Sequence, residues 1–144
     1  MNACAIGQSE RDRIEVEVLG YERPRSGDYH DDNWLHVLVS VTAGAFAGAF
    51  NAAFLTEELV VFRGELARLY QSLSGEATFS TLEEQLHLRV SGNGRGEIRV
   101  VGSATDMAGT GNRLEFHFEL DQTHLASSFS GLNEVIDTYP IRVG

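Results

Sequence analysis

Five histidines, one cysteine, and 21 acidic residues set against 11 arginines bound the chemistry open to this 144-residue chain. Asp28, His30, Asp31 and Asp32 crowd one segment and offer oxygen ligands to a hard cation. They lack the spaced ligand ladder and closing Glu of a calcium loop, and Asp side chains in such a segment ordinarily bond nearby backbone amides. His87 and His117 fall on the polar side of alternating segments, and two imidazoles without carboxylate or thiolate partners do not define a zinc site. Glu83 and Glu84 are adjacent, so in a strand they face opposite sides and cannot act as an acid–base pair. Glu115 and Glu119 share a face near Arg113 and His117, which cross-strand charge pairing explains. Cys4 lies in a stretch expected to be loose and has no activating neighbours. Ser127, Ser128 and Ser130 lie in a helical pattern without the nucleophile-elbow signature. The glycines of GNGRG (92–96) and GTGN (109–112) fall between strands, where a phosphate-binding loop needs a helix to follow. No catalytic residue, metal site or cofactor is expected.

The elements that must carry these residues are legible from their periods. Residues 1–11 show no clear period and are expected to be flexible. Ile14, Val16 and Val18 alternate with Arg13, Glu15 and Glu17, a half-buried strand. YERPRSGDYHDDN then reads as a loop. Trp34–Thr42 and Ala45–Phe54 read as two strands around a hairpin at Gly44. Leu35, Val37, Val39 and Val41 share one face. In the next strand Phe46, Gly48, Phe50 and Phe54 oppose Ala45, Ala47, Ala49 and Ala53. Strands apolar on both sides are usually central or covered on the second face, another subunit being one candidate cover.

Thr56 is expected to cap a helix over 56–73, with Glu57 and Glu58 in its first turn and Leu59, Phe62, Leu66, Leu69 and Leu73 as one stripe, stopping near Gly75. Four strands follow: Ala77–Phe79, one through Leu86, Leu88 and Val90, one through Ile98 and Val100, and one through Leu114, Phe116, Phe118 and Leu120. Thr123 is expected to cap a final helix carrying Leu125, Phe129, Leu132 and Ile136, which ends before Pro140. The fold class predicted is α+β: three strands, a helix, four strands and a helix. One antiparallel sheet of six to seven strands carries both helices on its apolar face. The length suits one domain over residues 1–144. No repeat of solenoid length is visible.

The net charge of −10 and pI near 4.8 disfavour nucleic acid and anionic membranes as partners. No stretch approaches a membrane span of roughly 20 apolar residues. The start lacks the apolar stretch of a secretory signal, so cytoplasmic residence is expected.

Several segments together resemble one family: Trp34–Leu35, GAFAGAF at 44–50, LYQSLSGEATF at 69–79, GNRLEFHFELDQTHL at 111–125, and Tyr139–Pro140. The arrangement is similar to the WapI-type bacterial immunity proteins over about residues 12–142. The resemblance implies a cytoplasmic, non-enzymatic protein that binds and neutralises a toxin delivered by neighbouring cells. It transfers no catalytic residue. An acidic inhibitor suits a basic toxin domain. Two surfaces are candidates: the loop with Asp28, Asp31 and Asp32, and the strand faces with Glu97, Glu115 and Glu119. The competing readings are a small-molecule-binding domain or an unrecognised enzyme, with a pocket between sheet and helices, and a homodimer or homo-oligomer joined through the second and third strands, at 34–42 and 45–54.

Overall fold

The computed structural model describes residues 2–143. The predicted alternating segments are all strands, and the N-terminal stretch expected to be flexible adds another. In chain order the elements are β1 (Ala3–Ser9), β2 (Asp12–Tyr21), a short α1 (Tyr29–Asp32), β3 (Trp34–Ala43), β4 (Phe46–Leu55) and α2 (Thr56–Ser72). Then come β5 (Ser74–Ser80), β6 (Leu86–Asn93), β7 (Glu97–Thr105), β8 (Arg113–Asp121) and α3 (Thr123–Thr138).

The expectation of a single sheet is corrected to two. Strands β1-β2-β3-β4 form one antiparallel meander and β5-β6-β7-β8 a second, each followed by a helix. A continuous sheet would need a crossover beside β4, whereas adjacent hairpins complete each four-stranded unit with short connections. The helices then cross over. α2 packs mainly against β5, α3 mainly against β1, and the two helices touch. The inner faces of both sheets and the buried stripes of α2 and α3 thereby join one hydrophobic cluster.

The registers make the two halves equivalent position by position. Ile14, Val16 and Val18 in β2 correspond to Leu86, Leu88 and Val90 in β6, all buried. Leu35, Val37, Val39 and Val41 correspond to Ile98, Val100, Gly102 and Ala104. The Asn33 carbonyl accepts from Thr56 N–H as the Gly96 carbonyl accepts from Gln122 N–H, both at 3.0 Å. Counting from those bonds, Leu59, Leu66 and Leu69 of α2 match Leu125, Leu132 and Val135 of α3, and all six are buried.

The caps differ from expectation. Thr56 is the first residue of α2, and its Oγ1 donates to Asn33 Oδ1 at 3.1 Å instead of capping the helix. Glu58 closes the first turn by accepting from Leu55 N–H at 2.7 Å. The helix stops at Leu73 in the left-handed region (φ 59°). Thr123 likewise does not cap α3. Its N–H donates to Asp121 Oδ1 at 3.0 Å.

Candidate functional site

The first candidate segment sits at the end of the first sheet where β3 begins and β4 ends. Asp28 caps α1, its Oδ1 accepting from Asp31 N–H at 3.0 Å. Asp31 pairs with Arg23 at 2.8 Å, both half-exposed. Asp32 is only 2% exposed. Its carboxylate accepts from Ser26 N–H and Oγ at 2.7 Å and from Gly27 N–H at 2.8 Å. The Ser26 hydroxyl, followed by those backbone amides, holds its pKa below the usual carboxylate value. Asp32 therefore closes the loop from inside, and only Asp28 and Asp31 face outward.

The neighbouring Asn33, at the end of the segment expected as loop, is a buried hub. Its Nδ2 donates to the Tyr29 and Arg142 carbonyls at 2.7 and 2.9 Å. Its Oδ1 accepts from Arg142 N–H at 2.7 Å as well as from Thr56. The C-terminal segment is thereby fastened across this corner. Arg142 stacks on the Tyr21 ring at 3.5 Å, Tyr21 packs edge-on against Tyr139, and the Tyr21 hydroxyl donates to the Pro140 carbonyl at 2.5 Å.

Beside this corner the structure gathers acids that the sequence scatters. Tyr29 Oη donates to Glu57 at 3.5 Å, and Glu58 reaches back to accept from Leu82 N–H at 2.6 Å. Glu83, in the β5–β6 connection and not in a strand, comes close enough to act on Glu58. Burial first, with Glu57 and Glu83 adding to it, pushes the Glu58 carboxyl upward despite its two backbone bonds. Asp28 and Asp31 flank Tyr29 in the sequence, Glu57 bonds it, and Glu83 follows Leu82, whose N–H is held by Glu58. These acids therefore lie at the same end of the molecule as the exposed side chains of Tyr29 and Leu82.

The second candidate face is different in kind. Glu97, Glu115 and Glu119 all lie on the outer face of the second sheet, in line with their alternation. There they are interleaved with cations. Arg99 pairs with Glu119 at 3.8 Å, Arg113 with Glu115 at 3.3 Å, and Arg89 with Glu76 at 3.7 Å. Glu97 accepts from Asn93 Nδ2 at 3.0 Å. Such exposed pairs contribute little stability, and they leave a face of mixed sign. His87 and His117 sit on β6 and β8 with β7 between them, and His87 Nδ1 lies 3.1 Å from Ser80 Oγ.

Cys4 is not on a loose end but in β1, where α3 passes with Gly131 against it. Burial, followed by the Glu15 carboxylate, pushes its thiol up to about 12, which leaves it a thiol at neutral pH. The cavity beside it, between both helices and both sheets, is apolar and measures about 30 Å³, far below the volume of a small-molecule site. A groove of about 390 Å³ between β1, β2 and α3 opens to solvent and is lined by Glu10, Arg13, Glu15 and His124 among others. Among the described residues no three His, Cys, Asp or Glu side chains gather as metal ligands. No helix among them is long and apolar enough to cross a membrane.

A search of curated proteins found no match to this chain. The family model described as the immunity protein WapI-like family matches residues 5–140, which takes in both sheets and both long helices. On that match, this chain belongs to the WapI-like immunity protein family.

Proposed function

We propose that this protein is a non-enzymatic cytoplasmic binding protein that neutralises a cognate bacterial toxin by direct contact. The family match across residues 5–140 carries the reading. The net charge of −10 points to a basic toxin domain as the partner, since opposite fields steer encounter. Two features support the acidic end of the first sheet as the contact surface. Among the described residues Asp28, Glu57 and Glu83 form no ion pair, whereas Glu115 and Glu119 already face arginines. Tyr29 and Leu82 supply exposed apolar area beside these acids, and an aromatic anchor next to polar residues is the usual anatomy of a protein contact. Glu97, Glu115 and Glu119 then form a secondary, more weakly charged surface.

The test is co-expression of the neighbouring toxin domain with and without this protein. Rescue of growth supports neutralisation, and unchanged killing with both proteins folded rejects it for that toxin. Stopped-flow association then locates the surface. Glu57→Lys and Asp31→Lys slow association several-fold at low salt, and the difference fades as salt shortens the Debye length below about 10 Å. Glu115→Lys, on the mixed face, slows it less.

A further inference from the structure

The two sheets end on equivalent edge strands, β4 and β8, and only one is guarded. A backbone bond joins Asn33 and Thr56 at the end of the β3–β4 ladder. The even-numbered residues of β4 therefore bond β3, and residues 47, 49, 51 and 53 turn their N–H and C=O groups to the free edge. Asn51 bears this out, because its carbonyl accepts from Gln85 Nε2 at 3.3 Å. By the same reasoning β8 turns residues 113, 115, 117 and 119 outward. Their side chains are Arg, Glu, His and Glu, and such charges keep a free edge from pairing. The β4 counterparts are Ala47, Ala49, Asn51 and Ala53. Gln85 stops at Asn51, and residues 46–49 are exposed on both faces, with Phe46 67% exposed.

The open stretch reads Phe46-Ala47-Gly48-Ala49-Phe50, the same in both directions. A strand of that sequence is complementary to an antiparallel copy of itself about a two-fold axis at Gly48. Ala47 then faces Ala49 of the copy with outward groups on both, which makes about four backbone hydrogen bonds. Phe46 faces Phe50 of the copy, an aromatic cross-strand pair on each side of the axis. A groove of about 280 Å³ beneath this stretch, walled by Leu114 and Asn112 from the β8 end of the second sheet, gives the incoming Phe46 somewhere to lie. We infer that β4 is the docking strand for a second copy of this chain, joining two first sheets into one eight-stranded antiparallel sheet. This leaves the acidic end of each copy free, because Leu55 lies seven residues, or roughly 23 Å, along the strand from Gly48.

The inference is tested on the purified chain alone, so its failure leaves the toxin reading untouched. Sedimentation equilibrium should show a concentration-dependent dimer. The double substitution Ala47→Lys/Ala49→Lys sets ammonium groups directly opposite each other across the seam, and should give a monomer with an unchanged circular dichroism spectrum. A wild-type chain that stays monomeric up to about 1 mM, where even weak association would be visible, overturns the proposal. Gly48→Cys fixes the register. No atom crowds a Cβ there, and opposed residues of a non-hydrogen-bonded pair lie about 4.5 Å apart at Cα, within disulfide reach. Mild oxidation should yield a covalent dimer. A dimer that survives the double lysine substitution, or a Gly48→Cys chain that does not cross-link, rejects β4 as the seam.

Discussion

The two halves of this molecule share a plan and fill it differently. At equivalent places, Val39 in the first sheet answers Gly102 in the second, and Phe50 answers Phe116. Gly102 is needed because a Cβ there would stand 2.7 Å from the His87 carbonyl oxygen and 2.8 Å from the Phe116 ring. Phe116 is buried and stacks with Phe118, whereas Phe50 lies half-open over the groove at the β4 edge. The outer faces diverge in the same sense. The second sheet carries interleaved charge across its outer face, whereas the first confines it to β2, where Arg13 pairs with Glu15 at 3.0 Å, and carries Leu38, Ser40, Thr42, Ala47 and Ala49 on β3 and β4. One half is finished as a solvent-facing surface, and the other keeps a bare edge at one end and an acidic group at the other.

If the halves are energetically equivalent at their helices, one charge in either should unfold the whole. Leu66 is 0% and Leu132 3% exposed. Leu66→Asp and Leu132→Asp each place a carboxylate in the shared core, a cost comparable to the total stability of about 5–15 kcal/mol. Thermal melts should show no cooperative transition for either. A variant that melts at the wild-type temperature would mean its helix is not part of the common core.

The next effect tests whether equivalent positions are interchangeable. Gly102→Val copies Val39 into the second sheet and should destabilise by about 1–3 kcal/mol through overpacking, read as a lower denaturation midpoint at unchanged slope. A neutral result would mean that Phe116 moves aside and the two sheets pack more alike than their residues suggest.

The smallest effect compares two carboxylates at the corners of the two halves. Asp32 and Asp121 both have lowered pKa values, Asp32 chiefly from the Ser26 hydroxyl and Asp121 chiefly from the Thr123 backbone amide. A depressed folded-state value stabilises above the unfolded value and is lost as pH falls through the folded one. Asp32→Asn and Asp121→Asn should therefore both lower the melting temperature at pH 7, Asp32→Asn more, because its carboxylate is buried and accepts three bonds. The gap from wild type should narrow below about pH 4. A gap that is the same at pH 7 and pH 3 would remove ionisation from the account.

Much of this was legible in the sequence. The period of two marked β2, β6, β7 and β8, whose inner faces are buried, while apolar runs bounded by turn residues marked β3, β4 and a β5 read too short, as 77–79 instead of Ser74–Ser80. The helical stripes of α2 and α3 were legible in outline, but Val135 and the buried Ser128 were missed, Phe129 lies at the margin stacked on Tyr70, and Leu73 is the cap beyond α2 and not part of its buried stripe. β1 was not legible, since ACAIGQS alternates weakly and α3, more than a hundred residues away, is what packs over Cys4. The division into two sheets was hidden too, because period reveals faces and not neighbours. β4 looked central for being apolar on both sides and is an edge. Of the candidate acids, Glu97, Glu115 and Glu119 fell on one face as expected. The meeting of Glu57 and Glu83 with Asp28 and Asp31 depends on tertiary approach, and the bonds that draw Asp32 inward depend on a loop with no period.

The crossing of α3 onto β1 has a consequence for the order of synthesis. A ribosome delivers the first sheet complete, and α2 after it, but α2 departs to cover β5. The strand that α3 must shelter precedes it by more than a hundred residues of synthesis. At a synthesis rate of about 5–20 residues per second, β1 waits on the order of ten seconds for its helix. Over the same interval β4 presents its unguarded alanines on the opposite flank of that sheet. The nascent first half is thus open along both sides at once, until α3 arrives to end the exposure of β1.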